Sequence, residues 1–292
     1  LGDPARVPDS VISWGFMQRL RKEFELYINL RPIRLLPGVQ SPLLSGPDLD
    51  LVFVRENTEG EYAGIGGRLH RGTSNEVALQ TSVFTRHGIT RVMRYAFDLA
   101  TQRDHQRKLT SVTKSNAMNY SMVLWDEVFR EMARAYPAIQ TEQYHVDAMT
   151  MYLIQRPETF DVIVASNLFG DILSDEAAAI QGGIGLAAGA NLNPERLYPS
   201  MFEPIHGSAP DIAGQEKANP IATILAAHLM MDYLGEPETA TLLRRAVETV
   251  LEAGEVRTPD LGGQATTSQM SDAVVAAVER LVSAPASVQR DE

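Results

Sequence analysis

The strongest constraint on the fold is a repeated alternation of short apolar segments with amphipathic ones. Residues 161–166, Asp-Val-Ile-Val-Ala-Ser, are typical of a short buried strand, because β-branched and apolar residues follow one another. Similar segments recur along the chain, with helical patterns between them. Strands that alternate with helices indicate an α/β protein. The other predicted strands span residues 49–56, 77–85, 108–114 and 139–146.

The predicted helices carry apolar residues at helical spacing. Asp9 is a plausible cap for the first of them, and Asn219 followed by Pro220 predicts the start of a later one. A further helix is predicted to begin near Asp171, shortly after the strand that ends at Ser166. The remaining predicted helices span residues 10–26, 86–103, 117–136, 146–157, 219–235, 238–254 and 267–283.

Composition excludes several classes of function. The net charge of −11 argues against nucleic acid or an anionic membrane as a partner. The chain contains no cysteine, so it has no disulfides and no thiol chemistry, which suits a cytoplasmic enzyme. No apolar run approaches the length of a membrane span. The 292 residues are enough for one large domain or two smaller ones.

Asp171 and Asp175 stand four residues apart and share one helical face. A solvated helix face is the ordinary explanation for such a pair. Here, however, the pair follows the carboxyl end of a predicted buried strand, where ligands collect in open α/β sheets. A divalent cation held by both carboxylates would relieve their repulsion. Asp147, at the end of another predicted strand, is a third candidate ligand.

Three arginines precede this region, and each alone would pass for a surface ion-pair residue. Arg21 lies on the first predicted helix, Arg31 in Asn-Leu-Arg-Pro, and Arg55 directly after an apolar strand. Guanidinium groups match carboxylates with two parallel hydrogen bonds. Together with a divalent metal, these arginines would suit a small polycarboxylate.

Two further residues are candidates for proton transfer. Lys114 ends a predicted strand, and a lysine near a metal and arginines has a lowered pKa and can accept a proton. Tyr62 could be its acid counterpart. Each residue also has a purely structural explanation. Lys114 would then simply end a strand, and Tyr62 would be an ordinary buried, hydrogen-bonded tyrosine.

Two glycine-containing loops are candidates for binding a ligand, and the sequence favours one of them. Residues 183–188, Gly-Ile-Gly-Leu-Ala-Ala, fit the dinucleotide fingerprint, but a helix rather than a strand is predicted before them, so we interpret them as an ordinary loop. In residues 202–214, small residues allow close backbone approach, and Asp211 presents a carboxylate that could accept the hydroxyls of an adenosine ribose. This second loop is the better candidate for a small-molecule site.

Several blocks closely resemble the metal-dependent β-decarboxylating dehydrogenases of (R)-hydroxyacids, which include isocitrate, isopropylmalate and tartrate/D-malate dehydrogenases. The similarity extends from about residue 9 to residue 275, and the blocks look most like the tartrate/D-malate branch. The blocks are YINLRPIRLLPG, VRENTEGEYAGIGGR, TSVTKSNAM, YHVDAMTMYL, VASNLFGDILSDEAAAIQGGIGLAAGANL, FEPIHGSAPDIAGQEKANPIATI and RTPDLGG.

The resemblance implies an isopropylmalate/isocitrate dehydrogenase-like fold of two α/β domains with a cleft between them. Residues 1–36 and 183–292 would form the larger, cofactor-binding domain, and residues 37–182 the smaller domain with the dimer interface and the metal aspartates. Family members begin with a strand and a Gly-Asp-Gly-Ile-Gly loop that the printed sequence does not include. We therefore expect the larger domain to be incomplete at its N-terminal side.

The resemblance also implies roles for individual residues. The cofactors would be NAD and Mg²⁺ or Mn²⁺, with a monovalent cation such as K⁺ as an additional candidate. Lys114 would be the base and Tyr62 the acid, and Lys114 and Asp147 would come from the neighbouring subunit of a homodimer. Substrate would be bound by Arg21, Arg31, Arg55 and Asn116; metal by Asp147, Asp171 and Asp175; and cofactor by Glu203, His206, Gly207, Ser208, Ala209, Pro210, Asp211, Ile212 and Asn219.

The expected reaction is NAD-dependent oxidation and β-decarboxylation of D-malate or a tartrate. In related isocitrate enzymes, a Ser and an Asn precede the first arginine by six and four residues, where this chain has Gly15 and Met17. Isocitrate is therefore expected to be a poor substrate, and 3-isopropylmalate is the competing candidate. The chain could also be a catalytically impaired family member or, in a different class of enzyme, a metal-dependent lyase.

Overall fold

The sheet is the centre of the molecule. The computed structural model describes residues 6–43, 46 and 48–283. Among them, no helix combines the length and the apolar character needed to cross a membrane. The described strands are β1 Ile28–Arg34, β2 Asp50–Glu56, β3 Gly60–Leu69, β4 Val77–Val83, β5 Lys108–Thr113, β6 Gln140–His145, β7 Val162–Ala165, β8 Ala188–Leu192 and β9 Met201–Pro204.

Helices surround the sheet and connect its strands. The first helical segment changes its hydrogen bonding along its length: α1 passes into a π-helical turn, Ser13–Met17, which leads directly into α2. The α-helices are α1 Asp9–Ile12, α2 Gln18–Glu23, α3 Arg86–Arg103, α4 Ser121–Ala133, α5 Val146–Gln155, α6 Asn167–Ile180, α7 Ile221–Leu234, α8 Pro237–Ala253 and α9 Thr267–Ser283.

Seven strands form one mixed sheet in the order β6-β5-β7-β2-β1-β8-β9. The four strands from β6 to β2 are mutually parallel, whereas β1 runs antiparallel to both β2 and β8. The carboxyl ends of the parallel strands therefore lie along one edge. The sequence resemblance predicted this α/β class correctly.

Two apolar cores stabilise the described part of the chain. The larger packs α3, α4 and α6 against the sheet, with Phe53, Phe97 and Trp125 fully buried. The smaller joins α7, α8 and α9 through residues such as Ile221, Val247 and Met270. Three strands of the sheet, β1, β8 and β9, lie within the residues assigned to the larger domain, and the other four within those assigned to the smaller one. The two-domain division stays a prediction.

Helix α6 begins four residues earlier than the sequence suggested. It starts at Asn167 rather than near Asp171, because Ser166 is still extended and the Glu61 carboxylate accepts a hydrogen bond from the Leu168 amide in the first turn. Gly170 does not break this helix. A Cβ at Gly170 would lie 2.7 Å from Cβ and Cγ of Arg55, so glycine lets α6 pack against that side chain.

The expectation that a helix, not a strand, precedes the Gly183 loop agrees with the structure. Helix α6 ends at Ile180, and a short 3₁₀ turn, Ile184–Leu186, follows the glycine before β8 begins. No strand precedes the loop directly. It therefore lacks the strand–turn–helix geometry that a dinucleotide fingerprint requires.

Candidate active site

A row of polar side chains crosses three neighbouring strands near the middle of the sheet. Asn29 of β1 lies opposite Arg55 of β2 on one side and opposite Asn191 of β8 on the other. All three residues are buried. Asparagine and arginine are unusual in buried strands, where apolar side chains normally pack. The fold therefore places a polar site inside the sheet at this point.

Arg55 is held from two directions at the carboxyl end of β2. Its Nε and Nη2 donate to Oδ1 of Asn167, at 3.1 and 2.6 Å, and its Nη1 donates to Asp171. Burial and the nearby Arg31 guanidinium lower the pKa of Arg55 to about 10, while Asp171 opposes that shift. Arg55 therefore stays charged at neutral pH, in a fixed orientation.

Arg31 bridges the two aspartates that the sequence singled out. Its Nη2 lies 3.1 Å from Oδ1 of Asp171, and its Nη1 lies 3.1 Å from Oδ1 of Asp175 and 2.7 Å from Oγ of Ser174. The like charges on α6 are thus partly neutralised by arginine. Half of the Asp175 side chain remains exposed.

The two aspartates differ in their electrostatic surroundings. Burial raises the pKa of Asp175, with a further contribution from the Asp171 charge, and Arg31 offsets this only in part. For Asp171, burial acts in the same direction, but Arg55 and Arg31 outweigh it, so its pKa lies below the usual value. Asp171 is therefore the more firmly ionised carboxylate of the pair.

Tyr62 joins this group from β3. Its hydroxyl donates to Oδ2 of Asp171 at 3.1 Å, and the Arg55 guanidinium lies 5.5 Å from the centre of its ring. Burial and the Asp171 charge raise the pKa of Tyr62. The phenol consequently keeps its proton at neutral pH and can donate it.

A buried network of asparagine side chains connects Arg31 to Arg21 through Glu203. The sequence did not lead us to expect this network. Arg31 donates to Asn29, Asn29 donates to Asn191, and Asn191 donates to Glu203, over distances of 2.7 to 2.8 Å. Glu203 also accepts from Arg21 at 3.3 Å. These hydrogen bonds form a series that starts at Arg31 and ends at the Glu203 carboxylate, which accepts the last of them. Buried networks of this kind fix side-chain positions, and asparagine within apolar strands was the signal that could have revealed it.

The three arginines open onto one cavity of about 290 Å³. Arg21, Arg31 and Arg55 line it together with Tyr62 and Asp171. The Nε of Arg21 is buried and has no hydrogen-bond partner among the described residues. A buried guanidinium N–H without a partner points to a ligand that accepts from it. The other lining residues are Ser13, Met17, Gln18, Asn29, Gly189, Glu203, Pro204, Ile205, His206 and Gly207.

Lys114 and Asp147 form a separate pair. Lys114 Nζ lies 2.6 Å from Oδ1 of Asp147, and two thirds of the Asp147 side chain is exposed. That hydrogen bond lowers the pKa of Asp147. Asn116 is exposed close to Lys114 in the chain. None of these three residues lines the cavity of the arginines.

The three predicted metal ligands do not come together in the structure. Across the described ranges, no group of three or more His, Cys, Asp or Glu side chains is arranged to hold a metal ion. Asp171 and Asp175 converge through their shared contact with Arg31. Asp147 contacts Lys114 instead.

The predicted cofactor loop borders a second cavity, of about 580 Å³, next to the first. His206 and Gly207 line both cavities. Asn219 lies on its wall, where its Oδ1 accepts from the Ile221 amide at the start of α7 and its Nδ2 donates to Asp260. Of the remaining predicted residues, Ser208, Ala209 and Ile212 line this cavity, Glu203 lines the first cavity, and Pro210 and Asp211 belong to the short 3₁₀ turn beside it.

Comparison with known proteins gives a consistent result. A family model described as isocitrate/isopropylmalate dehydrogenase matches residues 3–274. A probable tartrate dehydrogenase/decarboxylase of Bacillus subtilis is 50% identical over 96% of this chain and 78% of its own length. A D-malate dehydrogenase [decarboxylating] of Escherichia coli is 50% identical over 94% of this chain and 77% of its own length.

Two further relatives carry other names. A 3-isopropylmalate dehydrogenase of Clavibacter michiganensis is 49% identical over 95% of this chain and 78% of its own length. Among solved structures, an isocitrate dehydrogenase from Methylococcus capsulatus superposes with a TM-score of 0.84 and 43% identity, over 89% of this chain and 75% of that one.

Proposed function

Because the chain belongs to the isocitrate/isopropylmalate dehydrogenase family, we propose that it oxidises a small (R)-2-hydroxy dicarboxylate at C2 and releases the C3 carboxylate as CO₂. D-malate or a tartrate is the proposed substrate, NAD the hydride acceptor, and Mg²⁺ or Mn²⁺ the metal, with K⁺ as an additional cation. Relatives named for tartrate and D-malate, each 50% identical, support this choice.

The observation that carries the proposal is the convergence of three guanidinium groups on one cavity of about 290 Å³. Arg21, Arg31 and Arg55 are each less than one tenth exposed. They contact three carboxylates, Asp171, Asp175 and Glu203, which equal them in number and balance their charge. When a divalent ion binds Asp171 and Asp175, as proposed below, the site carries excess positive charge, which a dicarboxylate would neutralise while it accepts from the free Nε of Arg21.

Tyr62 is the proposed acid. Its raised pKa keeps the phenol protonated, and its hydroxyl already donates to Asp171 at the edge of the cavity. After loss of CO₂, the substrate carbon needs a proton, which Tyr62 would supply. Arg31 and Arg55 present fixed positive charge where negative charge develops on the substrate oxygens.

Asp171 and Asp175 are the proposed metal ligands from this protomer. Two carboxylates on one helical face are the oxygen ligands that Mg²⁺ and Mn²⁺ accept, with other positions left for water and substrate. When bound, a divalent ion lowers the pKa of a coordinated hydroxyl and withdraws electrons from a neighbouring carbonyl. Asp147, and with it Lys114 as the base, would complete the site from the partner of a homodimer.

NAD is the proposed cofactor of the second cavity. Its volume of about 580 Å³ is within the range of cofactor sites, and it adjoins the arginine-lined cavity through His206 and Gly207. Asp211 is exposed beside it, and its carboxylate accepts no hydrogen bond within the described part of the chain. Such a carboxylate can accept both ribose hydroxyls and would repel a 2′-phosphate.

The test is a series of kcat/KM measurements with D-malate, the tartrate isomers, 3-isopropylmalate and isocitrate, in the presence of Mn²⁺ and NAD. NADH formation and CO₂ release are measured together, because the proposed reaction yields both in equal amounts. We expect D-malate or a tartrate to be preferred and isocitrate to be poor. Carbon–oxygen bond cleavage without NADH would instead indicate a lyase.

The second candidate is oxidation of 3-isopropylmalate. Met17 lines the cavity as an apolar residue, and a relative named for this substrate is 49% identical. A tenfold or greater preference for 3-isopropylmalate in the same series would replace D-malate and tartrate as the proposed substrates. The dehydrogenase class would stand in either case.

A further inference from the structure

Lys22 connects helix α2 to the strand that carries Tyr62. It follows Arg21 on α2, and its Nζ donates to the main-chain oxygen of Tyr62 at 2.9 Å and to that of Ala63 at 3.0 Å. The Trp14 ring lies against the same ammonium group, with its centre 5.6 Å from Nζ. The ammonium is therefore held between two carbonyl oxygens and an aromatic face, and it holds the two carbonyls in turn.

The main chain at Tyr62 needs a contact of this kind because β3 departs from the regular β-ladder there. The register between β3 and β4 shifts between Gly60 and Ile65, so that residues 61–64 lie opposite a single residue of β4. Such a bulge disrupts the ladder hydrogen bonds locally. Within it, the Lys22 ammonium supplies the hydrogen bonds to two successive carbonyls.

Gly64 allows these two carbonyls to share one donor. In a regular strand, neighbouring carbonyls point to opposite sides. Gly64 has a φ of +78°, which reorients the peptide that begins with the Ala63 carbonyl, and both oxygens face Lys22. A Cβ at Gly64 would lie 3.0 Å from the Trp14 ring and 3.7 Å from Nζ of Lys22, so glycine also leaves room for both groups.

Tyr62 is thus held at both of its ends. Lys22 binds its main-chain oxygen, and its hydroxyl donates to Oδ2 of Asp171 at 3.1 Å. A general acid acts only when its proton is within reach of the acceptor, and a displacement of about 1 Å can lower a rate about a hundredfold. The contact with Lys22 lies on the main chain, away from the phenol that would give up the proton.

We propose that Lys22 is a positioning residue that places Tyr62 for proton transfer to the substrate carbon. This inference rests on the proposed function and deepens it, because one turn of α2 then binds a substrate carboxylate through Arg21 and places the acid through Lys22. Hydride transfer and loss of CO₂ precede the step that uses Tyr62. Loss of Lys22 should therefore slow proton delivery and leave the earlier steps intact.

The experiment compares wild type with Lys22→Met, which keeps most of the aliphatic stem and removes the ammonium. Arg19→Met, at an exposed position of α2, is the matched control that also removes one positive charge. With NAD, Mn²⁺ and the best wild-type substrate, the steady-state kcat is measured together with the rate of NADH formation in the first turnover after rapid mixing. We expect Lys22→Met to lower kcat on the order of tenfold and to leave the first turnover within about twofold of wild type.

A double-mutant cycle with Tyr62→Phe separates positioning from a general structural role. If Lys22 acts through the phenol, Lys22→Met should change kcat less than about twofold once the phenol is absent. Lys22→Arg, which keeps the charge and the donors, should recover most of the wild-type kcat, and Arg19→Met should leave both rates unchanged. The same loss of kcat with and without the phenol overturns the proposal.

The remaining outcomes also decide it. An unchanged kcat in Lys22→Met, or an equal fall of kcat and of the first-turnover rate, overturns the proposal. Should Lys22→Met not fold, the shorter, uncharged Lys22→Gln is measured in the same cycle, and failure of both to fold shows a structural role and overturns it.

If wild type turns over no substrate of the series, the proposed function fails, and the position of Tyr62 is tested without turnover. The protein is labelled with 3-fluorotyrosine, and its ¹⁹F signal from Tyr62 is identified by its loss in Tyr62→Phe. We expect this signal to shift in Lys22→Met and to stay in place in Arg19→Met. An unchanged Tyr62 signal in Lys22→Met overturns the role of Lys22.

Discussion

Asp171 and Asp175 lie one turn apart on α6, yet their surroundings shift their ionisation in opposite directions. The pKa of Asp171 is lowered because Arg55 and Arg31 outweigh burial, so its charge stabilises the fold above the pKa of the unfolded chain, and this stability is lost as the pH falls through the folded pKa. Burial raises the pKa of Asp175, so its ionisation costs stability as the pH rises towards that value.

Substitution of each aspartate by asparagine should therefore separate folding from metal binding. Without metal at pH 7, Asp175→Asn should leave the free energy of unfolding unchanged or raise it. Asp171→Asn should lower it by about 2 kcal/mol, since it removes the carboxylate partner of Arg55, which is 1% exposed. Urea unfolding measures this difference.

Metal affinity is the second property to measure in the Asp171→Asn and Asp175→Asn variants. Removal of either carboxylate should weaken Mn²⁺ binding by tenfold or more in calorimetry, although only one of the variants is destabilised. The affinity of wild type should also fall as the pH drops, because Asp175, with its raised pKa, is protonated before Asp171. Unchanged Mn²⁺ affinity in Asp175→Asn would identify the pair as a solvated helix face.

At the scale of elements, the loop with the 3₁₀ turn Pro210–Ile212 is the basis for predicting that the enzyme prefers NAD to NADP. Asp211 is exposed on it, and no described side chain neutralises its charge. We expect wild type to prefer NAD to NADP by at least tenfold in kcat/KM, because this carboxylate would face the 2′-phosphate. Asp211→Asn should narrow that preference, whereas the exposed control Asp272→Asn should not. Equal use of both cofactors by wild type would contradict the role of Asp211.

For some helices and strands, local sequence patterns are enough to predict their type and position. Helix α3 spans residues 86–103, as predicted, because its apolar spacing is regular and the Thr85 side chain caps it by accepting from the Gly88 amide. Strand β7 lies within the strand predicted at residues 161–166, because this segment is buried and apolar throughout. Both elements are determined by patterns within the segment itself.

Other elements were missed because tertiary contacts determine them. Strand β1 contains Asn29, Arg31 and Pro32, which disfavour a buried strand locally, and it forms because β2 pairs along its whole length. Strand β3 is rich in glycine and, among the described strands, pairs with β4 alone. Several of the ionisable site residues were suggested by their positions at strand ends. The asparagines within apolar strands could have indicated buried polar groups, but the partners in the Asn29–Asn191–Glu203 network depend on the register between distant strands.

At the scale of the whole molecule, the chain separates groups that would have to act together in the proposed reaction. The arginines, Tyr62 and Asp171 share one cavity, whereas Lys114 pairs with Asp147 outside it. Apolar side chains are also exposed on the β3–β4 hairpin and on α5 and α6. They include Ile65, Leu79, Met151, Ile154 and Ile172, each more than half exposed. Exposed apolar surface of this kind is typical of protein–protein contacts, and in the homodimer proposed above Lys114 of one copy would act at the arginines of the other.

Mixing two inactive variants tests this arrangement directly. Lys114→Met and Arg21→Met should each be inactive alone, since every site then lacks the base or a carboxylate-binding arginine. After both are unfolded together and refolded, half of the dimers are mixed, and each mixed dimer has one site with both residues intact. We therefore expect about a quarter of wild-type activity, provided that refolded wild type recovers fully. Activity no higher than that of the separate variants would place Lys114 in the same protomer as the arginines or outside the site.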